Sequence, residues 1–572
     1  MSDPTSPRLP AAHNRDLATL AGRRWLPAEL RDASGMKRLD YLLELAATSD
    51  FVGELATEEL FLLIHDIGKE DAFALLAHAT QEQLRGLVDL DAWQKDTLVP
   101  ARWLEWLDLA LAVDMDTAVR FVEAQDDETL EWLFIKDVTI HGRDLDPSDV
   151  PDELQVVASP DGLYWVTFEH EHELADRIPQ IMKLMWAANP DRARLIFDQA
   201  RFDLPSSVEE FMLQFRSGRI RDLGFEPPSD APAVFARVDA RALRADVRTK
   251  LLDRPRVANI DIGDVAEDLV LRGVTAPPLL GDALDRLDDD ARAAFGEAFT
   301  FLVNRVFMAL TGDPSQVEDL PAAARHAAAI LNLGLEYVAD EHLETAAGAL
   351  ERVWPVELFQ AGHSLVHELS LRARRLQRRA GAARGLSLFG APVDETLHGL
   401  ALPRPLLYAG LLDEARVDFE PFSRLSELAR AEILVADADA VLSFFETELG
   451  FTPARVFDAP TLVGLSDDER REIRLATLFR TGLAQLLLVD ELRFEPLARD
   501  DLAAFARAAF TKDGAVSPLL SGILERLVAG VPEPVAAFAR RAVDDLARAI
   551  GAVQADDIDP RFAGELFLTL GD

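Results

Sequence analysis

The run Glu169-His170-Glu171-His172-Glu173 carries the residue types of a metal site, imidazole nitrogen and carboxylate oxygen, more densely than any other stretch of the chain. Extended backbone sends alternate side chains to opposite faces, so a strand continued through this run puts His170 and His172 on one face and the three glutamates on the other. Two histidines make a weak site without further ligands, and the expectation is a polar strand end facing water. His363 and His367 stand four apart at helical spacing. A zinc protease needs glutamate directly after the first histidine as base on the metal-bound water, but Ser364 stands there, and Val366 occupies the glutamate position of the inverted motif. The pair is expected on a helix surface, with no metal and no cofactor. No serine lies in a Gly-x-Ser-x-Gly turn, and no Gly-x-x-x-x-Gly-Lys loop cradles phosphate. The chain has no cysteine, which excludes disulfides, thiolate metal sites and cysteine nucleophiles together.

Charge supplies the other chemical signal. The 100 acidic and 59 basic residues give a formal charge of -41, which repels nucleic acid and anionic membrane alike. Against that background Arg372, Arg374, Arg375, Arg378 and Arg379 fall within eight residues, and Arg372, Arg375 and Arg379 share one helical stripe. A guanidinium fork binds carboxylate and phosphate equally well, so this group is the candidate anion or partner contact, either with the chain's own acids or with an external partner. Arg216, Arg219 and Arg221 form a second patch, which with a carboxylate would make a dispersed enzyme site. Acid pairs such as Asp288 to Asp290 and Asp467-Asp468-Glu469 follow from the abundance of acids and are assigned to helix caps and solvent.

The elements that must position these residues are helical. Leu60, Leu63, Ile64 and Ile67 fall at i, i+3, i+4 and i+7, which places them on one helix stripe. The pattern repeats in Ala72, Leu75, Leu76 and Ala79, in Leu84, Leu87 and Val88, in Trp103, Trp106 and Leu107, in Ala118, Phe121 and Val122, and in Leu130, Leu133 and Phe134. Helices this short do not offset the cost of their own first turn and must stack. Thr80 with Gln83, Ser206 with Glu209 and Ser466 with Glu469 have capping-box spacing, and Thr57 is placed to cap the helix carrying Glu58 and Glu59. Around Ser159-Pro160-Asp161-Gly162 the rhythm changes: Leu154, Val156 and Ala158 alternate, and Leu163 to Phe168 is β-branched and aromatic, which predicts a β-hairpin with Val138 to Ile140 as a third strand.

The domain order that follows is a disordered leader (1–15), a short-helix repeat block (16–137) with a first helix over Leu17 to Leu30, the hairpin insertion (138–173) and a helical block (174–231). A central helical block (232–380), a Gly/Pro-rich loop or linker (381–405) and a C-terminal helical block (406–572) complete it. At 572 residues the chain exceeds what one growing core serves. The fold class is mostly α, a multi-block helical repeat or superhelical array with a small β-hairpin insertion.

The short helices from Leu55 to Ile135 resemble those of magnesium-transporter regulatory domains and of the flagellar motor-switch superhelix. Over nearly the whole chain, the phrases Glu59 to Ile64, Leu90 to Asp96, Arg216 to Phe225 and Pro560-Arg561-Phe562 resemble an uncharacterised bacterial family, a domain of unknown function, which implies no reaction, cofactor or site. The expected function is a non-enzymatic, cytoplasmic interaction scaffold or adaptor with a protein partner, without nucleic-acid binding or membrane insertion. Its alternatives are an enzyme with a dispersed site and a divalent-cation-responsive regulator.

Overall fold

The computed structural model describes residues 35–46, 50–136, 138–143, 145–172, 174–257, 276–382, 385–451, 473–498, 500–558 and 566–568. The leader, the helix read over Leu17 to Leu30, the Ser466 and Glu469 pair and the phrase Pro560-Arg561-Phe562 lie outside these residues. Among them helix dominates, with only small antiparallel strand groups, so the fold is mostly α. The chain divides into two compact units, one holding residues through Leu331 with Val338–Gln360, the other Asn332–Tyr337 with the chain from Ala361 onward. The division falls inside the helices Leu320–Ala339 and Pro355–Arg379 rather than in segment 381–405. A division inside continuous helices leaves no linker composition to read.

In the first unit the stacked helices form as their spacing requires. Leu60, Leu63 and Ile64 are buried in the helix Thr57–Ile67, and Phe61 and Leu62 are buried with them, so this helix is apolar on nearly all sides and lies in the core. Gly68, at φ 107°, ends it. The helix Lys69–Ala72 and the 3-10 turns Phe73–His78 follow, with Leu75 and Leu76 inward. Thr80 and Gln83 close a reciprocal capping box at 3.1 and 2.8 Å on the helix Gln81–Asp91. Thr57–Ile67 packs on Gln81–Asp91, that helix packs on Met115–Ala124, and this one in turn on Ile178–Ala188. Two expected caps are absent. Thr57 is itself the first helical residue after Ala56, and Ser206 lies inside the helix Pro205–Asp222, because the fixed φ of Pro205 takes the first helical position and leaves Leu204 as the cap.

The β insertion has the expected place and the expected third strand. Val138–His141 and Leu154–Ala158 flank Trp165–Glu169, with Val138 opposite Phe168 and Leu154 opposite Glu169. Pro160, Asp161 and Gly162 sit at the turn. The Ser159 hydroxyl accepts from the Leu163 and Tyr164 amides, and Gly162 adopts φ 66°. Two-residue pairs, Trp93–Gln94 with Thr97–Leu98 and Leu407–Tyr408 with Phe419–Glu420, are further strand. The helix Asp289–Thr311 is long and apolar enough to cross a membrane, yet Phe295, Phe299, Leu302, Val303 and Phe307 are buried within the unit, as in a core helix.

In the second unit Phe445, from the helix Leu425–Thr447, lies 6.3 Å from Phe479 and 6.0 Å from Phe538, tying that helix to Leu475–Val489 and Glu533–Leu546. Segment 381–405, expected to be a loop, contains the helix Val393–Ala401. Asp394 accepts from the Phe389 and Gly390 amides, and Leu397 and Leu400 are buried. Most of the Gly and Pro residues that suggested a loop lie before and after this helix, and Gly399 is buried within it.

Candidate functional site

The helix Pro205–Asp222 buries Val208, Met212, Arg216 and Ile220, one residue every four, so an arginine occupies a position in a stripe otherwise apolar. Arg216 is 1% exposed. Its Nε donates to the Asp89 carbonyl at 2.9 Å, its Nη1 donates to the Lys95 carbonyl at 3.1 Å, and its guanidinium lies 4.8 Å from the centre of the Trp93 ring. The acceptors are supplied by the C-terminal end of Gln81–Asp91 and by the hairpin after it, where Lys95 holds φ 56°. One turn on, Arg219 grips the buried Asp89 carboxylate with Nε at 2.5 Å and Nη2 at 3.0 Å, and its Nη1 lies 2.7 Å from Asp126. Burial pushes the Asp89 carboxyl above its ordinary value against the pull of the Arg219 hydrogen bond, and burial lowers Arg216 to about 10. Arg221 does not join them. It faces outward to Asp230 and, at 3.8 Å, to Glu226.

A second buried carboxylate, Asp91, extends the network. It is paired with Lys69, accepts from Trp106 Nε1 at 2.8 Å and lies 3.6 Å from His65. Arg102 donates to the Asp91 carbonyl at 3.2 Å and reaches Asp313 at 3.2 Å. Both of these buried carboxylates, Asp89 and Asp91, therefore face a cation of the chain, and the network does the chemistry of a clamp: it fixes the helix Pro205–Asp222 on the end of Gln81–Asp91 and the hairpin. The sequence pointed to Arg216 and Arg219 with a carboxylate but did not single out Asp89, Asp126 or Trp93.

The same helix turns apolar side chains outward. Phe211 is 53% and Phe215 47% exposed, and Phe202 and Leu204, just before the helix, are 78% and 67% exposed. Leu204, Phe211 and Phe215 are spaced by seven and four residues and fall on one stripe. This spacing is visible in the sequence but is interrupted by Val208, which packs inward. That alternation hides the stripe.

On the helix Pro355–Arg379 the five arginines separate. Arg372 lies 3.9 Å from Glu432, and Arg379 pairs with Asp439, with Glu446 at 2.6 Å and with the Ser443 hydroxyl at 2.9 Å. Arginines seven apart thus meet carboxylates seven apart on Leu425–Thr447, with the numbers rising together, so the two helices run parallel here. Arg374 donates to the Leu402 carbonyl at 2.8 Å. Arg375 and Arg378 are exposed, and no ion pair joins either to another of the described residues.

The histidine motifs diverge as well. The strand stops at Glu169, and the backbone turns, so His170 and His172 do not share a strand face. His170 contacts Gln155 and the Asp152 carbonyl, whereas His172 contacts the Lys136 carbonyl and accepts from the Leu174 amide. Glu169, Glu171 and His172 line a cavity of about 680 Å³ with Trp132 and Lys136. His363 is buried rather than on a helix surface, its ring 6.0 Å from that of His367. Burial, then the charges of His367 and Arg404, lower it to about 4. Among the described residues no group of three His, Cys, Asp or Glu side chains is placed to hold a metal.

A family model described as a family of unknown function (DUF6178) matches residues 15–569. The chain belongs to this family. No curated protein and no solved structure matches it. Of the phrases that carried the resemblance, Arg216 to Phe225 holds the two clamp arginines and Leu90 to Asp96 holds Trp93 and Lys95, while Asp89 lies one residue before it.

Proposed function

We propose that this member of the family is a non-enzymatic interaction scaffold or adaptor, and that a protein partner docks on the outward face of the helix Pro205–Asp222. The observation that supports this reading is the packing of that helix, whose buried stripe already holds Val208, Met212 and Ile220. It takes a guanidinium into the interior, at a desolvation cost, and leaves Phe211 and Phe215 about half exposed. An apolar patch held in place by a buried clamp is the form of a binding surface rather than of a core. The enzyme reading has less support, because Arg219 and Asp89 are paired and Arg216 is held on backbone carbonyls, which leaves no free acid or base among the three.

The test is affinity capture with the wild-type chain and with Phe211→Ala/Phe215→Ala. The variant removes exposed side chains, so its melting temperature should stay within about 1 °C of wild type while bound partners are lost. An unchanged set of partners at an unchanged melting temperature would remove the face from the function.

A further inference from the structure

We infer that the occupant of this face is an amphipathic helix with lysine or arginine beside its apolar stripe, an inference that rests on the docking reading above. Leu204, Phe211 and Phe215 share one stripe with Asp222, since offsets of seven, eleven and eighteen residues return to within a small angle at 3.6 residues per turn. From Leu204 to Phe215 the stripe is about 16 Å long, roughly three turns, which suits one short helix presenting anchors at i, i+4 and i+7. Carboxylates border it. Asp203 stands at one end, Asp222 at the other and Glu210 alongside, all exposed.

Of the nearby cations one is paired with a carboxylate and the other stacks on a ring of the patch. Arg221 is held by Asp230, and the Arg201 guanidinium lies 5.4 Å from the centre of the Phe202 ring. An approaching helix therefore meets apolar rings framed by negative charge, and basic residues flanking its own apolar stripe complement that frame. A second copy of the chain would bring the same carboxylates and the same formal charge of -41, so self-association on this face is opposed by repulsion.

The probe is a fluorescein-labelled peptide of about 14 residues with leucines on one helical stripe and lysines elsewhere, compared with its leucine/glutamate counterpart by anisotropy at about 0.15 M salt. The full-length chain should bind the leucine/lysine peptide at least about tenfold more tightly than the leucine/glutamate one, and Phe211→Ala/Phe215→Ala should lose at least about tenfold. That variant keeps the net charge, so general acidity cannot account for the loss. Asp203→Asn/Asp222→Asn should weaken the basic peptide about threefold or more and leave the acidic one no weaker. Equal binding of the basic peptide to wild type and to the phenylalanine variant would overturn the inference. Tighter binding of the acidic peptide would overturn the partner's charge alone, while loss of captured partners in the phenylalanine variant would still uphold the docking face. A wild-type dimer in sedimentation velocity that the phenylalanine variant abolishes would assign the face to a second copy and overturn the inference as well.

Discussion

On the helix Pro205–Asp222, Arg216 and Arg219 are set into the first unit, with backbone carbonyls, a tryptophan face and the Asp89 carboxylate as partners. On the helix Pro355–Arg379, Arg372 and Arg379 reach carboxylates across a surface seam with water beside them. Both groups include guanidinium on carboxylate, Arg219 on Asp89 and Arg379 on Asp439 and Glu446, and they differ in solvation. A charge taken out of water must be met in one geometry or it is very costly, so the buried set specifies where its helix sits. A seam open to water offsets little and specifies little.

The largest effect expected from this contrast comes from Asp89. In Asp89→Ala, Arg219 keeps Asp126 but loses its bidentate partner in the interior, and the Arg216 guanidinium loses the nearby negative charge that opposes its desolvation. A loss of about 3–5 kcal/mol is expected, read by chemical denaturation as an early transition of the unit that holds Asp89. A loss below about 1 kcal/mol would mean that the burial is not what fixes the helix.

Glu131 sharpens the comparison from the opposite sign, because it is a buried acid whose near neighbour is another acid, Asp203. Burial first, then the Asp203 charge, push it up from 4.5 to about 7. The folded chain therefore holds a proton that the unfolded chain releases between these values. The stability this contributes is fully present below about 4.5 and is lost as the pH rises through about 7. Glu131→Gln imitates the protonated form, so its melting temperature should match wild type near pH 5 and exceed it by about 2 °C near pH 8. A wild type that melts at the same temperature relative to the variant at both pH values would refute the assignment.

How far the sequence carried the reading follows the range of the physics involved. Helix stripes such as Leu84, Leu87 and Val88 and the turn at Pro160-Asp161-Gly162 are local, set by 3.6-residue periodicity and by turn chemistry, and they were legible. The helix Val393–Ala401 was not, because short stretches rich in Gly and Pro on either side mask a two-turn apolar pattern. Of the site, the arginine types and spacing were legible on both helices. Their partners were not, since Asp89 lies 127 residues from Arg216 and Glu432 lies 60 from Arg372, and nothing local in a chain so rich in acids singles out one carboxylate. The outward phenylalanines were missed for another reason. An apolar residue at helical spacing reads as core, but the core stripe of this helix is Val208, Met212 and Ile220 with Arg216, which leaves Phe211 and Phe215 outside it.

Arg379 gives the next smaller effect. It joins Asp439, Glu446 and Ser443, but half-exposed ion pairs lose Coulomb energy to solvent and entropy to the long side chain, so Arg379→Ala should cost only about 0.5–1 kcal/mol, and less as salt is raised. A cost of 3 kcal/mol or more would place the seam with the buried clamp and break the distinction between the two regions.

Arg375 should show the smallest effect, and its sign is informative. It lies on the stripe of Arg372 and Arg379 at offsets of three and four residues, is exposed, and has no ion pair among the described residues. Its main electrostatic neighbours within the helix are therefore like charges, which oppose each other by a few tenths of a kcal/mol per pair. Arg375→Glu turns those repulsions into attractions, so stability should be unchanged or rise by about 0.5 kcal/mol or less, and the change should add to that of Arg379→Ala without coupling. Chemical denaturation of the two single variants and the double variant measures both quantities. A loss above about 1 kcal/mol for Arg375→Glu would show that its guanidinium has a carboxylate to lose, as Arg379 does, and that the outward edge of the stripe is held by the protein itself.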